Sequence, residues 1–170
     1  MDRQFPIGRF EFDQDLGMEP FMERLSTLPQ RLNSAWNDCA ITLRDQPYRP
    51  GGWTRATVVH HIADSHLNMY VRIKLALTED DPEVKPYDEN AWAELADGPA
   101  ELSLPLIESV HARLLPLLRA LNLQEWDRCY YHPELLRLVS LREVVQKYAW
   151  HGDHHLAHIK LPSFEPDPTI

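Results

Sequence analysis

The chain is poor in cysteine, has no concentrated positive charge and contains no long apolar run. Each of these absences narrows what it does. Its two cysteines, Cys39 and Cys129, lack CxxC spacing and read as isolated, reduced and buried thiols. Lys and Arg total 17 against 26 Asp and Glu, for a formal charge of -9, and no Lys/Arg cluster stands out. Phosphate backbones and anionic membranes need a concentrated positive face, so neither nucleic acid nor a membrane surface is an expected partner. No apolar run approaches membrane-spanning length. Met1 to Asp15 is studded with charge (Asp2, Arg3, Arg9, Glu11, Asp13, Asp15) and has no apolar signal-type core. A cytoplasmic location is the expectation.

What is present is an ordinary globular composition with one outlier. Hydrophobic residues make up 44% and charged residues 25% of 170 positions, which suits one domain with a real core. The expected domain spans 1–170, with an N-terminal arm at 1–17 and an extended tail at 161–170 carrying Pro162, Pro166 and Pro168. The outlier is histidine. There are nine, three within His60 to His66 and four within His151 to His158.

Helical periodicity dominates the rest. Glu19 to Leu28 reads as a short helix, and Pro29 as the first turn of the next, which carries Leu32, Ala35, Trp36, Cys39 and Leu43. Pro50, Gly51 and Gly52 make a tight turn, and Thr54 is the expected N-cap of a helix running to about Leu77. Its apolar stripe is Val58, Ile62, Met69, Ile73 and Ala76. Thr78 to Pro99 is a long crossing connection with one helical turn near Asn90 to Leu95. A third helix begins near Ser103 and ends near Ala120, and Asn122 to Val139 reads as irregular. The box Ser140-Leu-Arg-Glu143 opens a fourth helix, Leu141 to about Lys160. With no convincing strand, the expectation is an all-α four-helix bundle with long connections that permit crossovers.

His151 and His155 lie one turn apart on one face of the fourth helix, so one ion can reach both. Gly152 follows His151, which rules out the HExxH arrangement. A third ligand has to come from a facing helix. His61 lies near the edge of the second helix's apolar stripe, His60 points away and His66 lies nearer the far side, so periodicity modestly prefers His61. Imidazole suits zinc, nickel, copper or iron, and three protein ligands leave a position for water. Taken singly, each of these histidines reads more readily as a surface or hydrogen-bonded core residue than as a ligand. The pairing of two separated clusters is what raises the metal reading above that background.

Gly51-Gly-Trp-Thr54, Val58-Val-His-His-Ile-Ala-Asp-Ser-His-Leu-Asn68, Lys74-Leu-Ala-Leu-Thr-Glu79, Lys85-Pro-Tyr-Asp-Glu89, Tyr131-His-Pro133 and Trp150-His-Gly-Asp-His-His-Leu-Ala-His-Ile159 together resemble the DinB-like superfamily, in particular its YfiT branch of metal-dependent hydrolases. The resemblance implies a four-helix bundle, often a homodimer, with one divalent transition metal, nickel or zinc, per chain. By the same resemblance the ligands match His61, His151 and His155.

The expected function is metal-dependent hydrolysis of a small molecule by metal-activated water. Asp64, one turn after His61, is a candidate to orient a ligand or move a proton. His158 shares the face of His151 and His155, while His154 reads as a flanking surface residue. His132, in a loop with Tyr130, Tyr131 and Pro133, is a candidate substrate-facing residue. Two alternatives stand beside hydrolysis. One is a thiol S-transferase of the bacillithiol or mycothiol type, in which the metal stabilises a thiolate. The other is a metal-binding module without catalysis.

Overall fold

Four long helices carry the fold in a computed structural model that describes residues 2–164. They are α1 (Glu19–Asp38), α3 (Arg55–Thr78), α5 (Ser103–Arg119) and α7 (Leu141–Lys160). Short helices α2 (Ile41–Arg44), α4 (Glu89–Ala93) and α6 (Leu123–Trp126) lie in the connections. A two-stranded antiparallel hairpin, β1 (Cys129–His132) and β2 (Arg137–Ser140), precedes α7. Helix α1 packs on α5 and α7, and α3 packs on the same two. Helices α1 and α3 therefore face each other diagonally, as do α5 and α7. The diagonal steps fall on the first and third connections, and the second joins neighbours while passing over the histidine face.

Local chemistry sets the helix ends. The Thr54 hydroxyl accepts the Thr57 N–H at 3.0 Å and starts α3. Asp88 accepts the N–H groups of Asn90 and Ala91, both at 3.0 Å, and starts α4 close to the expected turn. The box at α7 is half formed. Ser140 accepts from the Glu143 N–H at 3.3 Å, but the Glu143 carboxylate is held by both terminal nitrogens of Arg137, at 2.8 and 2.6 Å. A bidentate guanidinium holds that carboxylate more strongly than a single backbone donor does.

Two sequence expectations need correction. Helix α1 does not break at Pro29 but runs through it. Proline lacks the N–H that would bond the Leu25 carbonyl four residues back. The helix continues because another donor reaches that carbonyl, Nδ1 of His111 at 2.8 Å. The stretch 122–139 is likewise not irregular, since it forms α6 and the hairpin. Asn122 and Glu125 cap α6 reciprocally, and Tyr130 pairs with Val139, both buried. The preceding connection is fastened to β1, with the Val84 N–H donating to the Tyr131 carbonyl at 3.1 Å.

The core is split into two apolar clusters. One contains Leu25, Met69, Leu114 and Tyr148, and the other Leu32, Ile62, Ile107 and Leu156. Between these pairs three of the long helices carry histidines, His66 on α3, His111 on α5, and His151 and His155 on α7, while α1 places Leu28 and Pro29 there. Helices α1 and α7 are in tight contact at Gly152, where a Cβ would lie 2.5 Å from Cδ2 of Leu28. Asp153 clamps the same contact with ion pairs to Arg24 and Arg31, each at 2.7 Å.

The N-terminal arm is tied down. Gln146 donates to the Asp13 carbonyl at 2.7 Å and accepts from the Asp13 N–H at 3.1 Å, while Arg3 donates to the Tyr48 carbonyl at 2.8 Å. Arg55, wholly buried, donates to the carbonyls of Leu43, Gln46 and Leu161 at 3.2, 3.1 and 2.7 Å. It thereby binds the first connection to the C-terminal end of α7. Pro166 and Pro168 of the expected tail lie outside the described residues.

Candidate metal centre

His61 projects from α3 and His151 and His155 from α7, and the three offer nitrogen atoms that all lie within 4.8 Å of one another. Nε2 of His61 is 3.0 Å from Nε2 of His151. The ring of His155 meets those of His61 and His151 edge-on, with centroids 4.7 and 4.5 Å away. Burial pushes His61 down to about 4, helped by nearby His154. It pushes His151 and His155 well below the ordinary histidine range, helped by the other imidazoles. All three are neutral at physiological pH, the form in which imidazole donates a lone pair. Three converging neutral imidazoles fit a transition-metal ion.

The turn before α3 supplies one wall. Gly51 adopts φ +64, and a Cβ on Gly52 would lie 2.7 Å from Cγ of Arg49. The two glycines let the chain turn tightly and set Trp53 against His61, with ring centroids 4.7 Å apart. A cleft of about 300 Å³ lies over all three histidines, bounded by Trp53, Trp150 and Phe5. A second, of about 360 Å³, reaches His61 past Asp64, Tyr87 and Trp92. A third, of about 160 Å³, reaches His151 past His132 and Arg72. Glu89, on the first turn of α4, borders all three. Burial raises its carboxyl, with Lys147 and Arg72 pulling the other way.

The remaining candidates fall into place around this geometry. Asp64 lines the second cleft beside His61, and no hydrogen bond joins the two among the described residues. Burial raises its carboxyl, and Asp97 adds to the effect. His132 lies in β1, not in a loop, and faces the third cleft. His158 is engaged on both ring nitrogens. Its Nε2 is 3.3 Å from the Gln4 carbonyl, its Nδ1 is 3.3 Å from Nδ1 of His155, and its ring stacks on Tyr48. His154, expected at the surface, is buried and stacks on Trp150 at 4.5 Å. His60 does point away, toward the Ser103 hydroxyl at 2.8 Å and the Gly98 carbonyl at 3.2 Å.

His154, His155 and His158 also offer nitrogens within 4.8 Å of one another. That second group is the weaker candidate, because the nitrogens of His158 already face Gln4 and His155.

Sequence reasoning missed three participants. His66 is wholly buried, with Nδ1 2.8 Å from Nε2 of His111 and Nε2 3.3 Å from Nδ1 of His151. His111 holds an apolar-stripe position on α5, between Ile107 and Leu114, and that spacing was the available signal. Glu89 sits in a connection where periodicity carries no information.

The chain is similar to known proteins over nearly its whole length. A protein of Oceanobacillus iheyensis named "Putative metal-dependent hydrolase" is 44% identical over 164 residues, covering 94% of this chain and 95% of its own. A Bacillus cereus protein of the same description is 43% identical over 163 residues, covering 93% and 94%. Among solved structures, YfiT from Bacillus subtilis, described as "a probable metal-dependent hydrolase with an unusual four-helix bundle topology", superposes with a TM-score of 0.89 at 39% identity, covering 94% of each chain. A mycothiol-dependent maleylpyruvate isomerase shares the fold, with a TM-score of 0.68 at 18% identity, covering 89% of this chain and 64% of its own. The model of the DinB superfamily matches residues 24–159, and with these likenesses it decides the matter of descent: the chain belongs to the DinB superfamily.

Proposed function

We propose that His61, His151 and His155 hold one divalent transition metal, zinc or nickel, and that the protein hydrolyses a small molecule in the cleft above them. The observation that carries this reading is the convergence of three neutral imidazoles from two helices at the meeting point of three clefts. Bound there, the ion supplies Lewis acidity and activates water. The chain does the rest. Trp53 and Trp150 wall the cleft and exclude solvent from one side of the substrate. Glu89 and Asp64, both with raised carboxyl pKa values, are placed to accept and return a proton. His132 and Arg72 line the route to His151 and contact a polar end of the substrate. Cleft volumes of about 300 and 360 Å³ suit a metabolite-sized molecule and not a polymer.

The test begins with metal content. Protein purified without chelator should carry about one equivalent of metal, His155→Ala should lose it, and His60→Ala should keep it. Retention by His155→Ala, or loss in His60→Ala alone, rejects the ligand set. Thiol S-transfer would use the same three ligands, and the likeness to the isomerase is one of fold. A panel of esters and amides, run beside a low-molecular-weight thiol with an electrophile, separates the two chemistries by which product forms only in the metal-loaded protein. Loading without turnover in either panel would instead favour the metal-binding module.

A further inference from the structure

We infer that two chains of hydrogen-bonded imidazoles, each ending on a main-chain carbonyl, dictate which nitrogen His151 and His155 turn toward the trio, making His66, His111 and His158 positioning residues. The inference rests on the metal-centre reading above.

The first chain starts at Pro29. Having no N–H, Pro29 leaves the buried Leu25 carbonyl without its helical partner, and Nδ1 of His111 lies 2.8 Å from that oxygen. A carbonyl only accepts, so His111 carries its proton on Nδ1. A neutral imidazole has one N–H and one lone pair, so Nε2 of His111 accepts. Its neighbour at 2.8 Å is Nδ1 of His66, which must donate. The lone pair of His66 is then on Nε2, 3.3 Å from Nδ1 of His151, which donates in turn. The remaining lone pair of His151 is on Nε2, the nitrogen 3.0 Å from Nε2 of His61.

The second chain is shorter and follows the same logic. The Gln4 carbonyl accepts from Nε2 of His158, leaving a lone pair on Nδ1. Nδ1 of His155 lies 3.3 Å away and donates to it, so the lone pair of His155 is on Nε2 as well.

Metal-binding histidines commonly donate their second nitrogen to a carbonyl or carboxylate, which fixes ring and tautomer. Here the acceptor is another imidazole, and the fixed point lies one or two rings further out. An ordinary residue at position 29 would spend the Leu25 carbonyl on its own N–H. The proline in α1 thus reaches the candidate ligand through two intervening histidines.

The test reads tautomers directly. Full-length protein stripped by a chelator is examined by 15N NMR of its histidines at about pH 8, where buried imidazoles are neutral. His66, His111, His151 and His155 should all be protonated on Nδ1, and His158 on Nε2. The double variant Pro29→Ala/His111→Phe returns a helical N–H to Leu25, so the fold does not depend on the lost imidazole. It should melt near wild type, show mixed tautomers at His66 and His151, and bind Zn2+ about 10- to 100-fold more weakly. Nε2 protonation of His66 or His151 in the wild-type protein overturns the inference. So does a folded double variant with unchanged tautomers and unchanged Zn2+ affinity. Wild-type protein that shows the stated tautomers yet takes up no Zn2+ supports the relay and overturns the metal-centre reading instead.

Discussion

At the residue scale, the chemistry of the site is set by what each imidazole and carboxylate faces. Nine histidines divide into candidate ligands, relay members, structural groups and one cleft-lining residue, His132, by what they face, although their residue type is the same. His60 bonds Ser103 and Gly98, His61 faces His151, and His66 faces His111 and His151. The carboxylates divide in the same way. Asp64 borders one cleft, whereas Glu89 borders all three. If Glu89 carries the proton, Glu89→Gln should lower turnover by about 100-fold or more while leaving metal content at the wild-type level. Steady-state rates set beside metal analysis of the same preparations check this, and an equal loss of metal would reassign Glu89 to the coordination sphere.

The sequence made the HxxxH pair legible, because i, i+4 spacing on a long helix fixes a shared face. Glu89 was not legible, since it follows a loop whose path depends on the hairpin. His154 was misjudged because the arm that buries it, with Phe5 at a ring distance of 5.9 Å, has no periodicity of its own.

At the element scale, the helices were readable and their continuations were not. Thr54 and Ser140 marked the starts of α3 and α7 through side-chain chemistry that acts locally. Pro29 misled because local rules treat a mid-helix proline as a break, and the donor that reaches the Leu25 carbonyl comes from another helix. The strands β1 and β2 are too short and too mixed in character for a period-2 pattern to stand out, and their pairing depends on burial of Tyr130 and Val139 against the bundle. Gly152 has a meaning that only the packing of α1 on α7 reveals. Gly152→Ala should cost about 1–3 kcal/mol through overpacking against Leu28, despite the better helix propensity of alanine. Urea denaturation measures it, and a stability equal to or above wild type would show that Leu28 moves aside freely.

At the scale of the whole molecule, a band of imidazoles between two apolar clusters makes stability depend on acidity. His61, His111 and His158 are held at about 4 in the folded chain, against about 6.5 when unfolded. Between these values the unfolded chain binds more protons, so stability rises with pH across the window and falls as pH drops from about 6.5 toward 4. His66, His151 and His155, shifted further in the same direction, extend the loss to lower pH. The urea midpoint of chelator-treated protein should therefore fall from about pH 7.5 to about pH 5. A midpoint constant across that range would mean that the imidazoles are not shielded as the structure places them. Overall architecture was the most legible level, because four amphipathic stripes admit few arrangements. Which helices sit diagonally was not, because stripe width does not encode neighbours.

The opening stretch of the chain has a consequence for anyone handling the protein. Gln4 lends its carbonyl to His158, Phe5 helps roof the cleft over the histidine trio, and Arg3 is bonded to Tyr48. Trimming a handful of leading residues, or crowding them with a fusion partner, would unroof the cavity and release a ring that steadies a candidate ligand, with the bundle itself left standing.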